Sequence, residues 1–255
     1  MAGGAHKSLT APHPVAGGAV DWQPQAFESE FLKLSSARIT AFRGDDPAAT
    51  IRQAFADLAR LGYAFVSIRV PATAVAQVSA LRQVGAREIE CLVTFARTLD
   101  LVAVQMPDGI EIATYEDAEG CAEVGRQAFR SDRFHQDPEL DEAGADALKA
   151  AWMRNACLGR AERVLVARAG RRILGANACI RNGDEAVIDL IGVLPEAQGR
   201  GLGRQLVDAA LASYSGSAAR MVVGTQATNT ASVALYRSAG FSPVDEKITF
   251  HAHLR

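Results

Sequence analysis

From Phe27 to about Met106, apolar positions switch between the period of a strand and the period of a helix. Residues 37–42 read as a strand. Asp46 and Pro47 then supply an N-cap and a first helical position, and Ile51, Phe55, Leu58 and Leu61 follow at helical spacing. Gly62 ends this helix, and residues 63–70 carry the β-branched and aromatic side chains that suit strands. A second helix is predicted over 73–84, stopped by Gly85, before a strand around 88–97. Pro107, Asp108 and Gly109 are turn chemistry and mark a domain boundary.

A second set begins with a strand at 110–114 and helices around 116–129 and 144–158. Strands at 163–168, 172–181 and 186–193 are linked by turns at Ala169-Gly170 and Asn182-Gly183-Asp184, so this sheet is expected to be mostly antiparallel. Helix 202–214, strand 220–226, helix 230–239 and a strand near 247–253 complete an α+β domain. Three parts are expected: a disordered leader at 1–25, rich in Gly, Ala, Pro and His, an N-terminal α/β domain at 26–107, and this α+β domain at 108–255.

Composition narrows the picture. A formal net charge of −2 from 27 basic and 29 acidic residues gives no global field toward nucleic acid or an anionic membrane. No apolar run approaches the roughly 18 residues that span a bilayer. The four cysteines, Cys91, Cys121, Cys157 and Cys179, form no Cys-x-x-Cys pair and sit among apolar neighbours, which reads as buried thiols in a reducing cytoplasm. No metal-ligand spacing is present.

The most informative stretch is an apolar strand, 187–193, running through Leu194-Pro195-Glu196-Ala197 into Gln198-Gly199-Arg200-Gly201-Leu202-Gly203. Leu202, Leu206, Ala210 and Leu211 then lie on one helical face. Glycines at 199, 201 and 203 let backbone approach a ligand closely. Free N–H groups at the helix start, with Arg200 and Arg204, make a pyrophosphate site. The spacing is G-x-G-x-G, and hairpins precede it, so a Rossmann dinucleotide site is excluded.

These residues resemble the Q/R-x-x-G-x-G/A signature of the GNAT superfamily of acyl-CoA N-acyltransferases. A second stretch, from Asn229 through Ser232, Leu235 and Tyr236 to Gly240 and Phe241, is similar to the family's N-x-x-S-x-x-L-Y-x-x-x-G-F. The resemblance implies the GNAT fold, acetyl-CoA as cosubstrate and a small-molecule amine as acceptor. It implies that residues 198–203 hold the pyrophosphate and that Ile191, Gly192 and Val193 pair with the pantetheine arm, a backbone N–H there polarising the thioester carbonyl. Asn229 caps its helix beside the cofactor and Ser232 follows it. Tyr236 is the acid that protonates the departing thiolate, because a phenol of pKa near 10 stays protonated at neutral pH. Asp189, placed by strand alternation on the face of Ile191 and Val193, and His135 are the candidate bases; a salt-bridged structural Asp189 is the other reading.

The segment from Phe129 to Pro138 joins two helices and mixes Arg130, Arg133, Phe134 and His135. With Trp152 to Gly159 downstream, it resembles the bacterial dTDP-fucosamine acetyltransferase branch of the superfamily, which carries a smaller GNAT-like N-terminal half. That branch implies a nucleotide-linked aminosugar as acceptor, with Arg130, Arg133 and Phe134 at the substrate and the arginines on its diphosphate. A homodimer is compatible with this reading. Acetylation of another amine (an antibiotic, a polyamine or a protein N-terminus) and a non-catalytic acyl-CoA-binding module remain as alternatives.

Overall fold

The computed structural model describes residues 13–15, 18–99 and 105–254. In chain order the first elements are β1 (His13–Val15), β2 (Gly18–Pro24), α1 (Ala26–Leu32), β3 (Ser36–Gly44), α2 (Pro47–Arg60), β4 (Phe65–Pro71) and α3 (Val75–Gln83). Next come β5 (Arg87–Thr98), β6 (Ile110–Ile112), α4 (Ala118–Ala128), α5 (Glu142–Asn155), β7 (Arg163–Ala169), β8 (Arg172–Asn182) and β9 (Glu185–Val193). The last are α6 (Leu202–Tyr214), β10 (Arg220–Gln226), α7 (Thr230–Ser238) and β11 (Ser242–His253).

The chain forms two compact units, residues 1–89 with 247–255, and residues 90–246. The boundary expected at 107/108 is therefore displaced. The N-terminal unit takes the C-terminal strand, because β11 pairs antiparallel with β4 from Lys247↔Pro71 to His253↔Phe65. The other unit takes β5, which pairs with β10 along its length. Turn chemistry at 107–109 is real, with Gly109 at φ 80°, but it joins two strands of different sheet positions and divides nothing.

In the N-terminal unit the strands run β1-β2-β3-β4-β11. Only β3 and β4 are parallel. Asp46 caps α2 as expected, its side chain accepting from Ala49 N at 2.9 Å. Ile51, Ala54 and Leu58 of α2 pack with Ile39, Ile68 and Phe250. Burial of each large apolar side chain there contributes about 2 kcal/mol. Part of the expected leader, 1–12 and 16–17, lies outside the described residues. Residues 18–24 are not disordered but form β2 against β3. Val20 is buried, and Trp22 meets Tyr63 edge-on with centroids 5.2 Å apart. Gly18 is required by contact, since a Cβ there would lie 2.3 Å from Arg43 O.

In the larger unit the order is β5-β10-β9-β8-β7-β6. Only β9 and β10 are parallel, as expected for a mixed, mostly antiparallel sheet. One face carries α6 and α7 over Leu206, Val207, Met221, Val223 and Tyr236. The other carries α4 and α5 over Cys121, Val124, Met153, Ala178 and Leu190. Cys121, Cys157 and Cys179 are buried free thiols, as the composition implied, and Cys121 and Cys157 approach to 3.3 Å. Burial pushes the Cys179 thiol up to about 12, which leaves it unreactive.

Candidate active site

Two local features of the larger unit leave backbone polar groups open. The first is a parting of strands. β9 and β10 pair in parallel from Glu185↔Arg220 only as far as Ile188↔Val223. β9 continues to Val193 and β10 to Gln226, the latter held by β5 up to Gln226↔Leu92. Beyond Ile188 the two strands therefore face each other without a ladder, and a strand edge invites an extended ligand.

A bulge accompanies the parting. Opposite consecutive Ala178 and Cys179 of β8 stand Leu190 and Ile188, so Asp189 is an extra residue without a cross-strand partner. The bulge resets the alternation. Ala186 and Ile188 face α6, Leu190 faces α4 and α5, Ile191 returns to the α6 side, and Val193 touches both clusters. Simple period-two counting, which put Asp189 with Ile191 and Val193, is thus corrected. Its carboxylate is paired with Arg160 at 2.6 Å in a partly exposed salt bridge.

The second feature is the start of α6. Gly199 and Gly201 adopt φ of 73° and 80°, and no atom comes within 4 Å of where a Cβ would stand at either. Backbone conformation, not space, therefore demands glycine there. No side chain caps α6, whose first backbone bond runs from Gln205 N to Gly201 O at 3.1 Å. The amides of Leu202, Gly203 and Arg204 have no helical partner, as in any first turn. Together with the helix dipole they suit an anion.

Side chains brace this turn. Gln198 donates from Nε2 to Val193 O at 3.0 Å, tying the turn to the end of β9. Arg200 donates to Glu196 O, and Arg204 is held by Asp208 at 2.8 Å and by Ser238 O at 3.1 Å. Both guanidiniums, expected at a pyrophosphate, are thus engaged with the protein. Gly203 lies against α7, where a Cβ would meet Leu235 at 3.6 Å. Asn229 caps α7 by accepting from Ser232 N at 3.1 Å.

Tyr236 on α7 is 2 % exposed, its ring 6.0 Å from both Phe95 and Phe241. Burial raises its pKa well above that of a free phenol, so it stays protonated at any physiological pH. Ile191, Val193 and Leu202 pack on the same apolar cluster as Tyr236. The structure thus brings the parted strand, the turn and the candidate acid together.

The loop residues are arranged differently. Gly192 lets α4 press on β9: a Cβ there would sit 2.7 Å from Ala128 Cβ and 3.4 Å from Phe129. The loop that follows is closed upon itself. His135 Nδ1 is 2.6 Å from Asp132 and Nε2 is 3.1 Å from Asp146, with the side chain only 3 % exposed. Burial lowers the His135 pKa, but the bonds and charges of Asp132 and Asp146 outweigh it, and the net shift is upward. With both ring nitrogens engaged by carboxylates, His135 has none left for an acceptor amine, so the candidate base is corrected to a structural residue of the loop. Phe134 is core, and Arg133 stacks on it at 4.2 Å while nearly buried. Arg130 stays exposed, paired with Asp146 at 2.7 Å and Glu142 at 3.3 Å.

Sequence reasoning missed Lys149 and Glu90. Lys149 is buried with Asp132 at 3.5 Å and the rings of Trp152 and Phe129 at 4.8 and 5.1 Å. Burial lowers its pKa, opposed by Asp132. Its signal was available: a lysine in helical phase with Ala145, Leu148 and Met153, all buried.

An open strand edge leading into an uncapped, glycine-led helix suits an extended ligand with an anionic end. The profile of the acetyltransferase (GNAT) family matches residues 126–241. N-alpha-acetyltransferase RimI of Mycobacterium tuberculosis is 32% identical over 142 residues, covering 54% of this chain and 80% of that protein. This chain belongs to the GNAT family of acetyltransferases, whose cosubstrate is acetyl-CoA. It is also 29% identical over 136 residues to the spore coat polysaccharide biosynthesis protein SpsD of Bacillus subtilis, covering 53% of this chain. The chain spans about half the length of that relative, 47%. A GCN5-related N-acetyltransferase from Sphaerobacter thermophilus shares the fold at TM-score 0.64 and 16% identity, over 94% of this chain and 77% of that one. Among the described residues, no helix is long and apolar enough to cross a membrane.

Proposed function

We propose that the chain transfers acetyl from acetyl-CoA to a primary amine by direct attack, and that the acceptor is a nucleotide-linked aminosugar. The observation that carries the reading is the parting of β9 from β10 after Ile188, directly upstream of the uncapped α6. The pantetheine arm would pair with residues 191–193, and its diphosphate would lie on the amides of 198–203 with Arg200, Arg204 and Asn229 alongside. The amine nitrogen adds to the thioester carbon, and a backbone N–H of residues 191–193 holds the oxyanion. Such a donor contributes a few kcal/mol to the transition state. As the C–S bond breaks, the Tyr236 hydroxyl gives its proton to the thiolate.

The aminosugar rests on the resemblance of the loop and on likeness to a polysaccharide-biosynthesis protein. Of the loop cations, Arg130 is the exposed one, and it could exchange a carboxylate for a substrate phosphate. A cytoplasmic location belongs to the same reading, since the free thiols suit a reducing compartment. A protein N-terminus is the second reading, favoured by likeness to an N-alpha-acetyltransferase. A thiol-release assay over a panel of amines separates them. Release with a dTDP-aminosugar but not with peptides or polyamines supports the first, and release with peptides alone replaces it. Acetyl-CoA is expected to raise the Tm, because it binds only the native state; no shift at millimolar cofactor removes the whole reading.

A further inference from the structure

An acceptor amine is an ammonium at neutral pH and must lose a proton before it attacks, yet Asp189 and His135 are both bound elsewhere in the protein. We propose that Glu90 of β5 is the general base, taking that proton directly or through one bound water. The proposal rests on the acetyl-transfer reading above.

Glu90 is a strand carboxylate only 6% exposed. One oxygen accepts from Gln226 Nε2 at 2.9 Å. Gln226 is the last residue of β10, past the end of its pairing with β9, and the next residue, Ala227, donates to Cys91 O at 2.8 Å. Glu90 therefore stands at the carboxyl end of β10, where the strands have parted. Open parallel strands take ligands at that end.

The face is also the right one. Val93 and Phe95 of β5, and Met221 and Val223 of β10, fill the α6 and α7 side. By alternation Glu90 and Gln226 point to the opposite side, toward α4 and α5. Lys149 of α5 feels the charge of Glu90, and the same Lys149 lies 5.1 Å from the Phe129 ring that rests on Gly192. Glu90 and Gln226 thus border one side of the parted strands, and Gly192 with Phe129 borders the other. Tyr236 belongs to the α7 side. Base and acid thus stand on opposite sides of the sheet, so the amine can enter on one side and the sulfur be protonated on the other.

The step balances within the residues present. An ammonium proton passes to a Glu90 oxygen, and the freed nitrogen lone pair forms the N–C bond. The C–S bond breaks, and the sulfur takes the Tyr236 proton. Glu90 passes that proton to solvent and then takes the second proton from the adduct nitrogen, which leaves a neutral amide; this proton also goes to solvent, and Tyr236 regains one from solvent.

The test compares Glu90→Gln with the unmodified protein in kcat/KM against pH, with acetyl-CoA affinity measured by calorimetry. Expected is a fall in kcat/KM of about 10²-fold near pH 7, within the range of general base catalysis. The loss should shrink as pH rises toward the amine's own pKa, with acetyl-CoA affinity kept within twofold. A kcat/KM within threefold of the unmodified protein, with an unchanged pH profile, overturns the assignment while leaving acetyl transfer intact. If the unmodified protein releases no thiol with any amine, the acetyl-transfer reading falls first and the base falls with it. Should Glu90→Gln fail to fold, Glu90→Asp carries the test: a fall of more than tenfold in kcat at constant KM for acetyl-CoA supports the role, and an unchanged kcat overturns it.

Discussion

Two segments of the larger unit, the turn at 198–203 and the loop at 129–141, both set arginines among unusual neighbours and both abut the end of β9. They end in opposite states. The turn leaves amides of a first helical turn without a cap, and its glycines hold conformations that serve no packing purpose. The loop satisfies itself: Asp132 alone receives His135, Lys149 and the amide of Phe134. Residue types that can do chemistry thus point to a site only when geometry leaves them something to do. On the function proposed above, one segment receives the ligand and the other holds the wall beside it.

Several variants break or sharpen this contrast. The largest effect belongs to the loop. Lys149→Met removes one of the buried cationic partners of Asp132 and should lower stability by about 3 kcal/mol, read by denaturant unfolding, with acetyl-CoA affinity kept within twofold in the folded protein. A large loss of cofactor affinity with little loss of stability would reverse the roles of the two segments. Next is Tyr236→Phe, expected to lower kcat about 10²-fold, or about 2.7 kcal/mol, in the thiol-release assay. An unchanged kcat removes it as the acid.

The loop should also respond to pH. Burial raises the Asp132 pKa, but the His135 bond and the Lys149 charge dominate, bringing it from 3.8 to about 2. Its contribution, on the order of 2 kcal/mol, is therefore present above pH 3.8 and lost as pH falls toward 2. His135 is shifted upward from 6.5, so its contribution is complete below that value and is lost as pH rises through the folded-state pKa. The protection factor of the Phe134 amide, with intrinsic exchange divided out, should be largest between pH 3.8 and 6.5 and fall on both sides. A flat profile would mean that the His135–Asp132 pair holds nothing.

Gly201→Val puts a branched side chain at φ 80°, which is strained by about 1–2 kcal/mol, and should weaken acetyl-CoA about tenfold by calorimetry. Retained affinity would place the diphosphate elsewhere. The smallest effect is Arg130→Ala, which removes an exposed ion pair and should change stability by less than about 1 kcal/mol. Its KM for the acceptor is the informative number: a large rise with a dTDP-aminosugar, and none with a peptide, would make Arg130 a substrate contact.

Much of this was legible because it is local. Asp46 and Asn229 are caps in the sequence and in the structure, and the run from β9 into α6 could be read from an apolar strand followed by spaced glycines. What was hidden is tertiary. The bulge at Asp189 adds one residue to a strand whose letters look regular, and only the pairing with β8 shows it. Glu90, between Ile89 and Cys91, reads as the solvent side of an alternating strand until Gln226 is brought over it. His135 is closed off by two carboxylates, of which Asp132 is local but Asp146 lies on the next helix and is brought over only by the fold. β2 escaped notice because Gly18 and Ala19 look like linker, although close backbone contact is what selects the glycine.

The sheet of the N-terminal unit is completed by residues 247–253, which follow the whole of the larger unit in the chain. That unit therefore cannot finish folding on the ribosome ahead of the rest, as an ordinary leading domain would. A protein truncated before Lys247, whether by a premature stop or a carboxyl-terminal protease, would expose β4 as a bare apolar edge. Quality control would meet it as an aggregation-prone species rather than as a shortened enzyme.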